Sequence, residues 1–308
     1  MSAEPSFRPY LGLAVGILAV SSSAIVIMFA REEGVPAMAI AAVRLTLAAA
    51  VLLPFALIRS RAEWGRLTQR ELALVVASGL LLAFHFAFWI SSLDYTSVMS
   101  SIVLVSTNPF FVGLASVLLL HESLGRSTIL GIVVAAIGAT LIGLADLGQG
   151  GAESLQGDAL ALGGAVAVSG YLLIGRRLRR HLSTIGYIGL VYSVAALALL
   201  GMAAVMGTAL LGYSWKGYAL IVLLAVGPQL IGHSAYNWAL KYVSATFVTV
   251  TILAEPVGAT LLAIPLLNQV PSPLKLLGGI MILMGIVLAA RQEAQGGLSE
   301  TADAAAEV

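Results

Sequence analysis

The chain has 308 residues, 59% of them hydrophobic and 10% charged, with a formal net charge of +1. A soluble domain carries about 25% charged residues, so too little polar surface is left for a water-soluble enzyme, and no basic stretch is long enough to follow a nucleic-acid backbone. With no cysteine at all, a disulfide scaffold, thiol catalysis and thiolate metal sites are excluded, and a polytopic membrane protein remains.

A helix crosses a hydrocarbon core of about 30 Å with about 20 mostly apolar residues. Ten stretches meet or approach that length: 10–30, 36–58, 72–92, 97–120, 127–145, 157–175, 184–206, 217–240, 244–267 and 274–290. Charge or turn residues bound them, among them Arg31-Glu32-Glu33-Gly34, the segment 146–156, and Pro271-Ser272-Pro273. A membrane barrel would show period-2 alternation in short segments, which unbroken runs such as Leu72 to Phe84 do not fit. Ser21-Ser22-Ser23-Ala24 has the look of a signal-peptide cleavage zone, but the apolar run continues to Ala30 and favours an anchored first helix. Residues 291–308 are acidic, Gly- and Ala-rich, and read as a disordered tail.

With residues 1–9 in the cytoplasm, twelve of the sixteen Lys and Arg fall on the cytoplasmic side, and Arg31, Lys216 and Lys275 on the other. That bias places both termini in the cytoplasm.

The chain matches itself after a shift of 147 residues. Tyr95 and Ser97 fall on Tyr242 and Ser244, Pro109 on Pro256, Gly131 on Gly278 and Gly138 on Gly285, with 11 identities over the 49 residues 94–142. Each half holds five spans, so the second copy enters the membrane from the opposite side. Asp94 in an outside turn then corresponds to Lys241 in an inside turn. The expectation is an all-α membrane protein of ten transmembrane helices in two inverted five-helix repeats, 10–145 and 157–290, joined by an external linker, 146–156.

The pattern Leu93-Asp94-Tyr95-Thr96-Ser97, Asn108-Pro109, Leu120-His121-Glu122, Gly131 and Gly138 resembles the EamA repeat of the drug/metabolite transporter superfamily, and Arg44 in the second span fits it too. Overall the chain looks most like the YddG-type amino-acid exporters. It departs from the family at His121, where glycine is more usual, and at Asn268-Gln269, where the exit glutamate is lost. The resemblance implies a central cavity lined by spans 1–4 and 6–9, and export of small metabolites across the bacterial inner membrane.

Polar groups inside a span are costly unless paired or wetted, so those present are candidates for a cavity. Glu255 is the one acid placed well inside a span; Pro256 follows it and frees a carbonyl one turn earlier. It suits a substrate ammonium or a transported proton, or else a hydrogen bond to a neighbouring helix. Gln229, His233 and Tyr236 share one helical face with Asn237 beside them; His85 and Trp89 are one turn apart. These rings suit an aromatic or apolar substrate body, and a cation over their faces. Asn108 is the repeat partner of Glu255, placed to orient substrate or bond a freed carbonyl. Arg44 is a carboxylate clamp or a structural brace.

The sequence holds no G-x-x-x-x-G-K-[ST], H-E-x-x-H or G-x-S-x-G motif. No catalytic residue, metal or cofactor is therefore expected. The expected function is a secondary transporter exporting amino acids, aromatic or hydrophobic ones included, by alternating access, with protons as a further partner. Drug or nucleotide-precursor efflux, an intramembrane enzyme around Glu255, His85 and His233, and a channel are the alternatives.

Overall fold

The computed structural model describes residues 8–120, 126–243 and, with short gaps, 248–288. His121, Glu122, Ser244 and the tail 291–308 lie outside the described residues. Every element among the described residues is helical.

Seven helices are long and apolar enough to cross a membrane: α1 (Tyr10–Glu32), α2 (Ala37–Arg59), α3 (Gln69–Ser92), α4 (Val98–Ala115), α6 (Gly151–Leu178), α7 (Thr184–Val205) and α8 (Trp215–Ala239). Shorter apolar helices are α5 (Ile129–Ile142), α9 (Ala254–Leu267) and α10 (Pro273–Gly285). Four helix starts are capped by hydroxyls. Thr68 and Glu71 form a reciprocal capping box at α3, and Ser97, Ser183 and Ser214 accept from backbone N–H groups at α4, α7 and α8. The segment 146–156, expected as a linker, is helical on both sides of Gly151. The break there is Gly151 itself, at φ 64°, a conformation that costs a side-chain-bearing residue energy.

The 147-residue register extends well beyond the stretch where identities show it. Ala37 and Thr184 open α2 and α7, and Ser92 and Ala239 close α3 and α8. Ser22 and Ser169, also 147 residues apart, each donate a hydroxyl to a carbonyl of their own helix, Ala19 at 3.0 Å and Ala165 at 2.7 Å. Such back-bonding bends helices.

Packing repeats as well. α3 lies on α6 and α1 on α8, and the close points are equivalent. A Cβ on Gly163 would stand 3.1 Å from the Phe88 ring, and one on Gly16 would stand 3.3 Å from Ala235 Cβ. α2 packs along α7, where Gly189 admits Ala56. On α5 and α10, Gly138 meets the Gly278 carbonyl and Gly131 meets Gly285. Rising numbers on one helix thus meet falling numbers on the other, so the two equivalent helices run antiparallel.

Two irregularities fall near the centre of the bundle. The helix begun at Val98 stops at Val105 and resumes at Asn108. In α8 the turns Ala225–His233, which contain Pro228, widen into a π-helix. Proline removes a backbone donor, and π-turns absorb the resulting mismatch. Non-regular backbone at this depth is tolerated where protein or a wet cavity surrounds it.

Candidate functional site

α1, α3, α4, α6, α8 and α9 surround one cavity. Its walls include His85 and Trp89 from α3, Ser106 and Asn108 from the break in α4, and Tyr171 from α6. His233, Tyr236 and Asn237 come from α8, and Glu255 from α9. Its volume, about 40 Å³, is room for a few water molecules. A metabolite needs the helices to part.

Local sequence explains the positions. His85 and Trp89 are one turn apart and stack, centroids 6.0 Å apart and planes 9° from parallel. His233 and Tyr236 meet edge to face at 5.9 Å, and the two histidines stand 6.4 Å apart. Four rings therefore run from one half of the chain into the other. The His85 ring is held by Nδ1, which donates to the Gly164 carbonyl at 3.0 Å. A carbonyl only accepts, so the proton is on Nδ1, and in the neutral imidazole Nε2 is an acceptor.

Asn108 sits where α4 resumes. Its Nδ2 donates to Val105 O at 3.4 Å, which orients the amide. Asn108 Oδ1, Trp89 Nε1 and Tyr236 Oη are buried and have no hydrogen-bond partner among the described residues. Each is a cavity-wall residue. Asn237 Oδ1, also on a wall residue, is a fourth; a buried polar atom left alone costs about 1–3 kcal/mol, so four around one space mark where a polar ligand is of use.

Seven of the eight residues expected at the substrate site share this cavity. Gln229 is not among its walls; its Oε1 accepts from Arg44 Nε at 3.1 Å. Arg44 is fully buried, also donates to Ser23 Oγ at 3.2 Å, and lies 4.4 Å over the Phe86 ring. These bonds use Arg44 Nε and Nη1, while its Nη2 is buried with no hydrogen-bond partner among the described residues. Asn237 reaches the wall, but its Nδ2 donates to Tyr171 Oη and to the His233 carbonyl. Sequence reasoning missed Tyr171; a tyrosine in the middle of an apolar span was the available signal. It also missed Ser169, whose hydroxyl lies 3.0 Å from the Asn108 carbonyl.

At the end of the bundle that carries Asp94, Arg31 Nε contacts Asp94 Oδ1 at 2.6 Å, and Lys216 Nζ contacts Glu33 Oε1 at 2.7 Å. Thr96 donates to Asp158 Oδ1 at 2.9 Å, and Lys275 Nζ to Ser97 Oγ at 3.2 Å. At the opposite end, Glu63 accepts from Ser183 N and Oγ, both at 2.9 Å.

Seven helices long and apolar enough to cross a membrane, around a largely apolar cavity with polar groups in its wall, are the architecture of a multi-span membrane protein. The EamA-like transporter family profile matches residues 10–144 and again 155–291. The chain belongs to the EamA-like transporter family, and so to the drug/metabolite transporters; a small-molecule substrate and a lipid surround follow from that membership. Relatives named as uncharacterized transporters agree. One from Clostridium kluyveri is 25% identical over 78% of this chain and 79% of its own. YyaM of Bacillus subtilis is 23% identical over 81% and 83%. One from Archaeoglobus fulgidus is 25% identical over 82% and 88%. A solved crystal structure shares the fold, with TM-score 0.64 and 22% identity over 92% of this chain and 98% of that one. Family and relatives alike point to a transporter that performs no chemistry on its cargo.

Proposed function

We propose that this protein is a secondary transporter that exports amino acids, aromatic and hydrophobic ones included, by alternating access in the bacterial inner membrane. In this reading ten spans form two inverted five-helix repeats, 10–145 and 157–290, joined outside at 146–156, with both termini in the cytoplasm. The substrate site is His85, Trp89, Asn108, His233, Tyr236, Asn237 and Glu255, with Gln229 and Arg44 behind it. Glu255 takes the substrate ammonium, or a proton when the site is empty.

The observation that carries the reading is the origin of the cavity wall. Trp89 and Tyr236 stand 147 residues apart, as do Asn108 and Glu255, and all four line one space. A site shared by two equivalent halves can open to one side and then the other as the halves exchange conformations. The antiparallel contact of α5 with α10 supports the inversion.

The test is counterflow. Purified protein in liposomes loaded with unlabelled phenylalanine, leucine or other amino acids should accumulate the labelled form, and Glu255→Gln should alter the pH dependence of that exchange. No exchange with any amino acid rejects the substrate class. Exchange that does not saturate points to a channel. Because the chain has no cysteine, Asp94→Cys and Lys241→Cys can be labelled singly with an impermeant maleimide. The two labels should come from opposite faces.

A further inference from the structure

The polar atoms offered to a ligand are unequal in kind. Two positions related by the repeat, Asn108 and Glu255, both present oxygen to the cavity. Asn108 does so because its Nδ2 is committed to Val105 O, which leaves the buried Oδ1 with no partner among the described residues. Glu255 is buried, and its side chain ends in a carboxylate that can only accept when ionised. In its neutral form His85 adds a third acceptor, Nε2, because Nδ1 carries the proton given to Gly164 O.

Charge points the same way. The cavity wall carries one acid and, among the described residues, neither lysine nor arginine. Arg44 is not in the wall: it donates to Gln229 and Ser23 and lies over the Phe86 ring, with Nη2 left without a hydrogen-bond partner among the described residues. Around the acceptors stand Trp89, Tyr236 and Tyr171, whose faces attract a cation. The wall thus has hydrogen-bond acceptors and ring faces for a positive, N–H-rich group, and has no fixed cation for an anionic one.

We infer that the cavity recognises the ammonium group of a primary amine, held between Asn108 Oδ1 of the first half and the Glu255 carboxylate of the second, and that a substrate carboxylate is dispensable. This deepens the transport reading and rests on it for the cavity being the substrate site. An ammonium brings three donors to these acceptors. Its bonds to Asn108 and Glu255 tie the two halves together, so the cation itself couples binding to their relative position. Trp89 Nε1 and Tyr236 Oη remain to hold a carboxylate, a carbonyl or water on the ligand's far side.

The experiment is a binding panel on the intact purified protein in detergent, read by calorimetry and by thermal stabilisation. The probes are phenylalanine, phenethylamine, N-acetylphenylalanine and 3-phenyllactate, which share a ring and differ in amine and carboxylate. Phenylalanine and phenethylamine are expected to bind about ten- to hundredfold more tightly than the two ligands without an ammonium. Asn108→Leu and Glu255→Gln should each erase that preference. Should either variant fail to fold, the wild-type panel still decides. N-acetylphenylalanine or phenyllactate binding as well as phenethylamine overturns the proposal, as does phenethylamine failing to bind while phenylalanine does, or no probe binding. The transport reading fails separately. Phenethylamine that binds, beside amino acids that never exchange in liposomes, rejects amino-acid export and leaves the amine site standing.

Discussion

Phe86 and His233, 147 residues apart in the chain, touch: their ring centroids are 5.2 Å apart with planes at 68°. A residue meets its own repeat partner only where the relation between two halves has its axis. That axis therefore passes between α3 and α8, beside the four-ring wall and the Asn108–Glu255 pair. In the proposed alternating-access reading, the cavity lies where motion of one half against the other would change its shape most directly.

Removing the lone polar atoms should act on stability and on binding in opposite senses. Tyr236→Phe keeps the ring and deletes a buried oxygen that has no partner among the described residues, whereas Trp89→Phe also empties part of the buried indole's space. The ligand-free Tyr236→Phe variant is expected to be as stable as the parent or more so, by up to about 1–3 kcal/mol, and Trp89→Phe less stable than Tyr236→Phe. Ligand affinity should fall. Thermal unfolding with and without phenylalanine measures both.

The glycines at helix crossings should differ in tolerance. A Cβ on Gly138 stands 2.5 Å from the Gly278 carbonyl, which belongs to backbone. A Cβ on Gly163 stands 3.1 Å from the edge of Phe88, a half-exposed ring that can turn aside. Gly138→Ala is expected to lower stability by about 1–3 kcal/mol, and Gly163→Ala by less. Unfolding temperatures of the two variants in one detergent give the comparison.

Arg44 should be a residue of stability. Arg44→Met leaves Gln229 Oε1 and Ser23 Oγ without their donor, and a loss of about 1–3 kcal/mol is expected for an orphaned buried group. Arg44→Lys should recover only part of this, since an ammonium cannot copy the planar fork. The order of preference among amine, amino acid and acylated ligands should not change, because Arg44 is not in the cavity wall. A reversed order in the binding panel would place Arg44 in direct contact with substrate.

The two acids at one end of the bundle should respond to pH with opposite sign. Burial raises the carboxyl of Asp94 above the usual aspartate value, and the Arg31 charge opposes this only in part. A raised folded value means the folded state holds the proton more tightly. The associated stability is full below the unfolded value and is lost as pH rises through the folded one. Asp94→Asn, fixed in the neutral form, should gain on the parent as pH rises through that window. Hydrogen bonds from Lys216 and Ser214 lower the carboxyl of Glu33. Its contribution is present above the unfolded value and fades as pH falls through the folded one. Glu33→Gln should therefore lose its deficit toward the parent in acid. Unfolding curves of parent and variants across the acidic range test both signs.

The sequence determined the helical class, the membrane environment and the doubled plan, because each follows from quantities counted along the chain. Apolar run length sets what can cross a bilayer, and proline and glycine spacing sets the register of the copies. Polar residues inside such runs must find partners or a cavity, so Glu255, Asn108, His85 and His233 stood out without coordinates. Tertiary structure alone decided which partner each found. Gln229 shares a helical stretch with His233 yet gives its Oε1 to Arg44, and Asn237 gives its Nδ2 to Tyr171 and a carbonyl of its own helix. The π-turns around Pro228, the break before Asn108 and the helical stretch on either side of Gly151 were equally out of reach. Hydrogen bonding is pairwise and short-ranged. A partner 185 residues away, as Gln229 is from Arg44, leaves no trace in local spacing, whereas the cost of burying a polar atom is legible wherever the chain is apolar.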